Sequence, residues 1–303
     1  MVALFLVVLI DLIGFGIIIP LLPFYAEHFR AEPDTVALLM ASYSFTQFLS
    51  APLWGALSDR IGRRPVLLIS LAGAAASYVW LGMAESLWML FAARALGGAM
   101  AGNIAAAFAY VADVTPPEGR AKGMGLIGAA FGLGFIFGPA LGGILAGPDP
   151  TNANYHLPAF AAAGLSVSAL LAAVFFLRES LAPAARIGAS THAIRRYWGS
   201  ISEVVRNRSL NVPVLLTFLA TFVFAGMEAT FAMWSERQLG WGPQQNGYLF
   251  AFIGVLSAIV QGTLIGPLAQ RFGEGPMIAH GAAALALGSL AVPLCTSLIP
   301  LLA

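Results

Sequence analysis

The sequence predicts an all-α polytopic membrane protein of two pseudo-repeated helical bundles, the second incomplete, and three observations lead there. Of its 303 residues 59% are hydrophobic and 10% charged, where an ordinary soluble domain carries roughly 25% charged residues. Nine apolar runs reach the roughly 20 residues that carry a helix across a bilayer. A Gly- and Arg-bearing segment of the first half recurs in the second. With 15 Lys+Arg and 14 Asp+Glu the chain has too few charges to clothe a water-soluble globule, so much of its surface must face lipid. A net charge of +1 provides no basic face for nucleic acid. The one cysteine, Cys295, excludes an internal disulfide and a Cys-based metal site.

The first run, residues 3–24, is longer than a secretory apolar core of roughly 7–15 residues and has no basic residue ahead of it. It reads as a first spanning helix whose short cytoplasmic tail is missing or trimmed. Runs 36–57, 66–84, 87–109, 123–146 and 158–177 complete a six-helix bundle over residues 1–180. A linker follows at 181–211, where Ile194, Trp198, Ile201 and Val205 recur at helical spacing among Arg195, Arg196 and Arg206. This stretch is either a helix lying on the membrane surface or a plain tether. Runs 212–234, 247–269 and 276–294, with a tenth opening near Ser297, make a partial second bundle over 212–303. Membrane strands would alternate over about 10 residues, whereas these runs are continuous.

Short basic loops stay on the cytoplasmic side of a membrane. Arg60, Arg63, Arg64, Arg120, Lys122, Arg178, Arg186, Arg195, Arg196, Arg206, Arg208 and Arg271 fall in alternate connections, and the intervening ones hold only Arg30 and Arg237. The bias places the N-terminus and the linker in the cytoplasm of a multi-pass protein of the cell (inner) membrane. The segment Gly55-Ala-Leu-Ser-Asp-Arg-Ile-Gly-Arg-Arg-Pro65 returns as Gly266-Pro-Leu-Ala-Gln-Arg-Phe-Gly-Glu-Gly-Pro276, an offset of 211 (55 to 266). Both copies join a second helix to a third, so the halves run in parallel. The same offset puts the end of a full second half near residue 391, which implies that about 90 residues, or three helices, are absent.

Segment 55–65 resembles the signature that the major facilitator superfamily carries between its second and third helices. The resemblance implies a cytoplasmic gate built from Gly55, Asp59, Arg60, Gly62, Arg63 and Arg64, in which the glycines turn the loop, Asp59 caps a neighbouring helix beyond the end of this chain, and Asp113 is the locking partner of the second arginine. Gly125, Gly134, Gly138, Pro139, Gly142 and Gly143 in the fifth run match the antiporter signature of drug exporters in that superfamily. Glycines four apart give a smooth face for close helix contact, and Pro139 is expected to bend the helix. Asp11-Leu-Ile-Gly-Phe-Gly16 with Pro20, Tyr110-Val-Ala-Asp113 and Gln261 resemble tetracycline-resistance-type exporters. Ser77 and Leu285 depart from them, standing where that group carries aspartates around drug and metal.

An ionisable side chain at the bilayer centre costs at least ~2.5–3.5 kcal/mol, so it needs a partner or a watery cavity. At 1.5 Å per residue, Asp11 lies about 12 Å from the inner edge and Arg94 about 10 Å from the outer edge, a gap the arginine side chain can largely close. Glu228 lies about 22 Å from the inner edge of the seventh helix. Two readings of Asp11 and Arg94 stay open, a proton-trading pair or a static ion pair holding helices one and four. Glu228 is a candidate for coupling or for contact with a cationic substrate. Gln47, Asn103, Gln261 and His280 are candidate cavity groups, although a lone polar residue often serves a neighbouring helix.

The expected function is secondary active efflux of small amphipathic organic compounds against a proton gradient, with no cofactor, no metal, and substrate, protons and lipid as the partners of a monomer. The alternative on the same fold is import of a sugar or other metabolite, which the fifth-helix pattern disfavours. No His-Glu-x-x-His, Gly-x-Ser-x-Gly or phosphate loop ending in Gly-Lys-Ser/Thr occurs, so the common zinc, serine and ATP chemistries lack their residues.

Overall fold

In the computed structural model, which describes residues 1–181 and 207–294, all nine apolar runs fold as helices. Eight are long and apolar enough to span a membrane: α1 (Val2–His28), α2 (Pro33–Ile61), α3 (Arg63–Gly82), α4 (Leu87–Val114), α5 (Pro117–Ala146), α6 (His156–Phe176), α7 (Asn211–Leu239) and α8 (Pro243–Leu264). The ninth, α9 (Glu274–Ala291), is shorter in its apolar stretch. No strand occurs among the described residues. Segment 194–205, Arg186, Cys295 and the run near Ser297 lie outside them.

The segment expected to be a loop at 55–65 is mostly helix. α2 continues to Ile61, α3 starts at Arg63, and the whole turn is Gly62. Its φ of +110° is a conformation that residues with a Cβ rarely adopt. Its counterpart 211 residues on, Gly273, has φ +81° and precedes α9 in the same way. The repeat is therefore structural as well as textual, and one unusual backbone angle preserves it in each half.

Two apolar clusters fill the first bundle. One gathers Leu4, Val8, Trp54, Leu67, Val111 and Ala173 towards the end that carries the arginine-bearing turns. The other gathers Ile17, Leu22, Tyr25, Leu39, Leu90 and Ala162 towards the opposite, Arg-poor end, and takes in Ala232 and Met233 of α7. Outside these clusters large apolar side chains point outward, among them Phe175 at 75% and Leu290 at 72% exposure. Apolar surface of that extent belongs against lipid.

Helix α5 runs unbroken through Pro139 and packs on α1 along one line and on α8 along another. A Cβ on Gly138 would stand 2.6 Å from the Gly16 Cα, one on Gly134 2.8 Å from the Leu12 Cβ, and one on Gly142 would strike the Ile17 carbonyl. On the second line, a Cβ on Gly143 would stand 2.8 Å from the Pro243 carbonyl oxygen, and one on Gly254 of α8 2.8 Å from Ile136. Backbones approach this closely only where side chains are absent. Further towards the Arg-rich end that second line passes through Gly132, Gly128 and Gly125, where an added Cβ would meet none of the described residues. Among the described residues, α5 and α8 are therefore joined from Ile136 to the Arg-poor end and parted below it.

Overpacking a close contact costs typically about 1–3 kcal/mol. Gly138→Leu should lower the unfolding temperature of the detergent-solubilised protein by several degrees, while Gly132→Ala should leave it within a degree or two. A thermal fluorescence scan of both variants checks this, and equal effects would refute the assignment of the two faces.

Candidate functional site

A cavity of about 240 Å³ opens between α1, α2, α3, α4 and α5. Asp11, Gln47 and Asn103 line it, together with Phe15, Tyr43, Ser70, Ser77, Tyr78 and Phe131. Asp11 is buried. Its Oδ2 accepts a hydrogen bond from Asn103 Nδ2 and its Oδ1 one from Ser166 Oγ at 3.3 Å. The carboxyl group is thus held by neutral donors from α4 and α6, within the first bundle.

Asn103 can reach Asp11 because α4, expected as one continuous helix, is broken. Its first part ends at Met100 and its second begins at Asn103, with Ala101 and Gly102 between. In lipid every freed backbone group must find a protein partner, and Ser70 supplies three contacts. Its hydroxyl donates to the Met100 carbonyl and accepts from the backbone N–H of Gly102 at 3.0 Å and of Asn103 at 2.9 Å. Trp54 Nε1 donates to the Ala99 carbonyl at 2.7 Å, and its ring lies against Gly102. Neither Ser70 nor Ser166 carried a sequence signal, since serines are ordinary in spanning helices; Gly102 beside a polar Asn103 was the trace of the break.

Arg94 does not pair with Asp11. Its guanidinium lies over the Tyr43 ring, 4.3 Å from the centroid, and Tyr43 and Tyr78 each interact electrostatically with both Asp11 and Arg94. The arginine side chain, expected to reach towards Asp11, is instead engaged on the Tyr43 ring of α2. The carboxylate that acts on Arg94 is Glu228 of α7, in the second bundle. No ion pair closes between them among the described residues, and the buried Arg94 Nε has no hydrogen-bond partner.

Ser77 donates to the Ala93 carbonyl at 2.9 Å and presents no charge to the cavity. Leu285 faces a separate apolar groove between α7 and α9. Gln261 lies on a π-helical turn, Val260–Leu264, and is exposed away from the cavity, as is His280, whose Nδ1 lies 2.6 Å from the Pro276 carbonyl oxygen.

At the Arg-rich end Arg63 gathers four elements. Its Nε donates to Asp113 Oδ2 at 3.1 Å and its Nη1 to Asp59 Oδ1 at 2.5 Å and Ser58 Oγ at 3.0 Å. Its backbone N–H donates to Glu179 Oε1 at 2.9 Å, so Glu179, which the motif alone did not reveal, caps α3 from the end of α6. A Cβ on Gly62 would overlap that same carboxylate, and Ser180 Oγ donates to Asp113 at 3.0 Å. Arg64 Nη2 donates to the Val174 carbonyl at 2.7 Å. Arg60 is exposed, and among the described residues neither Gly55 nor Gly125 has a neighbour that a Cβ would touch. At the Arg-poor end Arg237 of α7 donates to Glu27 of α1 at 3.1 Å. Beside it Asp149, in the turn between α5 and α6, is held below the usual carboxylate range by hydrogen bonds from Asn152 and Thr151.

The family model of the Major Facilitator Superfamily matches residues 4–303. The class C tetracycline resistance protein of Escherichia coli is 36% identical over 296 residues, covering 95% of this chain and 72% of the relative. Multidrug resistance protein 2 of Bacillus subtilis (strain 168) is 29% identical over 278 residues, 89% of this chain and 67% of the relative. The crystal structure of the human organic anion transporter MFSD10 (TETRAN) aligns at 28% identity and a TM-score of 0.66, over 96% of this chain and 85% of that one.

The break in α4 depends on Ser70, and leaving buried polar groups unpaired costs about 1–3 kcal/mol. Ser70→Ala should destabilise the solubilised protein by that order in a denaturant titration, whereas Ser168→Ala, whose hydroxyl only bonds back to the Gly164 carbonyl of its own helix, should change stability by less than about 0.5 kcal/mol. Equal losses would remove Ser70 from its assigned task.

Proposed function

The chain belongs to the Major Facilitator Superfamily, and from that premise we propose that it is a secondary active transporter that exports small amphipathic organic compounds in exchange for protons. The observation that carries the reading is Asp11, an acid at membrane depth on the wall of a polar and aromatic cavity, in a protein whose two bundles are closed at one end and parted at the other. The basic turns orient the molecule with its Arg-rich end in the cytoplasm. In the described state the parted side then faces inward and the seam of α5 with α8 bars the way out. A substrate is carried without chemical change when the bundles rock and the seam opens.

Exchange requires that substrate and proton exclude one another at a shared group. Asp11 suits this, because its donors Asn103 and Ser166 are neutral and the cavity leaves its carboxyl facing the substrate space. A positively charged or strongly hydrogen-bonding substrate group displaces the proton from Asp11, and a returning proton displaces the substrate. Relatives named for tetracycline, multidrug and organic-anion handling support a small organic molecule as cargo. With a serine at position 77 tied to a backbone carbonyl, the site has one acid on its wall and favours single-charged over metal-chelated compounds. Clasping of Arg63 by Asp113 and Asp59 holds α2, α3 and α4 together while the halves move.

Reconstituted into vesicles, the protein should move protons when a fluorescent amphipathic cation is added, and Asp11→Asn should reduce that signal at least tenfold while Asp11→Glu retains part of it. Proton movement undiminished in Asp11→Asn would overturn the assignment.

A further inference from the structure

The turn between α7 and α8, Gly240-Trp241-Gly242, carries two glycines, which leave a backbone free to sample many shapes, yet each of its amides is held. The Gly240 N–H donates to the Glu236 carbonyl at 3.0 Å, the Trp241 N–H to the Ser235 carbonyl at 3.3 Å and the Gly242 N–H to Gln245 Oε1 at 3.0 Å. Asn246, in the first turn of α8, supplies the rest. Its Nδ2 donates to the Gly242 carbonyl at 3.0 Å, beside a longer backbone bond from its own N–H at 3.3 Å, and its Oδ1 accepts from Ser235 Oγ of α7 at 2.9 Å. Asn246 and Ser235 are both 0% exposed, so water does not compete for these bonds. The Gly242 carbonyl requires a donor, which fixes the way the amide points and leaves its oxygen for Ser235.

Gly242 meets the other bundle. A Cβ on it would strike the carbonyl of Pro148 and stand 3.0 Å from Pro150 Cδ, in the turn between α5 and α6. That turn is held as well: Asp149 accepts from Thr151 and Asn152, and Tyr155 Oη donates to the Pro150 carbonyl at 3.1 Å. Glu27 and Arg237 also bridge the bundles at this end, but the Arg237 side chain is 59% exposed, and an ion pair so open to water adds little. Two preformed turns in backbone contact therefore extend the closure of the Arg-poor end beyond the α5–α8 seam.

We infer that Asn246 is a positioning residue of the transport cycle: with Ser235 it keeps the α7–α8 turn in the shape that seats Gly242 on Pro148, and so sets the share of molecules sealed at the Arg-poor end. This rests on the two-bundle transport reading. Ser235, Gly242 and Asn246 all lie in the second bundle, so their bonds persist when the bundles part, and Asn246 acts by preorganisation. With it the turn docks without losing backbone freedom; without it, closing has to freeze a glycine-bearing turn. The sealed state is weakened and the open state is not. Freezing the backbone of about one residue corresponds to a change on the order of tenfold in the ratio of the two states.

The experiment uses the full chain in lipid nanodiscs without substrate, with Cys295 replaced by serine and spin labels at Glu85 and Gln238, exposed positions at the Arg-poor end of the first and second bundles. Pulsed electron spin resonance gives the ratio of open to sealed molecules. Asn246→Ala should raise that ratio about tenfold, Ser235→Ala about threefold, the weight of one neutral hydrogen bond, and the two together no further than Asn246→Ala alone. Gly242→Ala keeps the bonds of the α7–α8 turn, at a φ of −94° that alanine adopts without strain, but sets a methyl against Pro148 and should raise the ratio as well. A purely structural Asn246 would lower the unfolding temperature and leave the ratio alone. A parental ratio in Asn246→Ala therefore overturns the inference, as do separate effects that multiply in the double variant. If Asn246→Ala does not stay monodisperse, Ser235→Ala and Gly242→Ala decide, and a parental ratio in either overturns it. A single distance throughout, Gly242→Ala included, sinks the two-bundle reading and the inference with it. Ratios that move as expected while cells expressing the protein export no test compound sink the efflux reading and leave the role of Asn246 standing.

Discussion

Close backbone contact along α5 is the constraint on which the rest of the molecule depends. Within a bilayer no hydrophobic effect drives helix against helix, so association has to come from van der Waals fit and a few polar contacts. Helix α5 gains that fit twice, through Gly134, Gly138 and Gly142 against α1 and through Pro139 and Gly143 against α8. The first line belongs to the interior of one bundle, and the second is the seam between bundles. One helix therefore fixes the wall behind Asp11 and also the closed end of the transport path. A side chain added to either line would be felt at both places.

The polar interior follows a different economy. Asn103 is brought to Asp11 by an interruption of α4, and that interruption is tolerable because Ser70 and Trp54 take over the freed backbone groups. Arg94 lies over the aromatic face of Tyr43, which partly compensates a buried cation. Asp11 thus has neutral partners, held within the first bundle.

Much of this architecture was legible in the residues. Continuous apolar runs gave each helix to within a few residues, and the repeat at offset 211 foretold that Gly62 and Gly273 would occupy equivalent turns. The glycines of α5 were readable as a packing face, although their division between two partners was not, because periodicity does not say which neighbour a face meets. The site was less legible. Sequence depth alone placed Asp11 and Arg94 within reach of one another, and the structure lays the arginine over the Tyr43 ring instead. Glu179, Ser70 and Ser166 act through contacts with residues at least 30 positions away in the chain, where no local spacing could announce them. The gate segment read as a loop because it is rich in Gly and Arg, yet the helices run through it and leave a single residue to turn.

The central claim is that the α5–α8 line is closed from Ile136 to the Arg-poor end and open below it. It is tested most directly by placing a single cysteine at Gly132, in a chain with Cys295 replaced, and measuring its reaction with a membrane-impermeant thiol reagent applied to either side of sealed vesicles. The account predicts modification chiefly from the side bearing the Arg-rich turns. Equal or faster modification from the opposite side would contradict it.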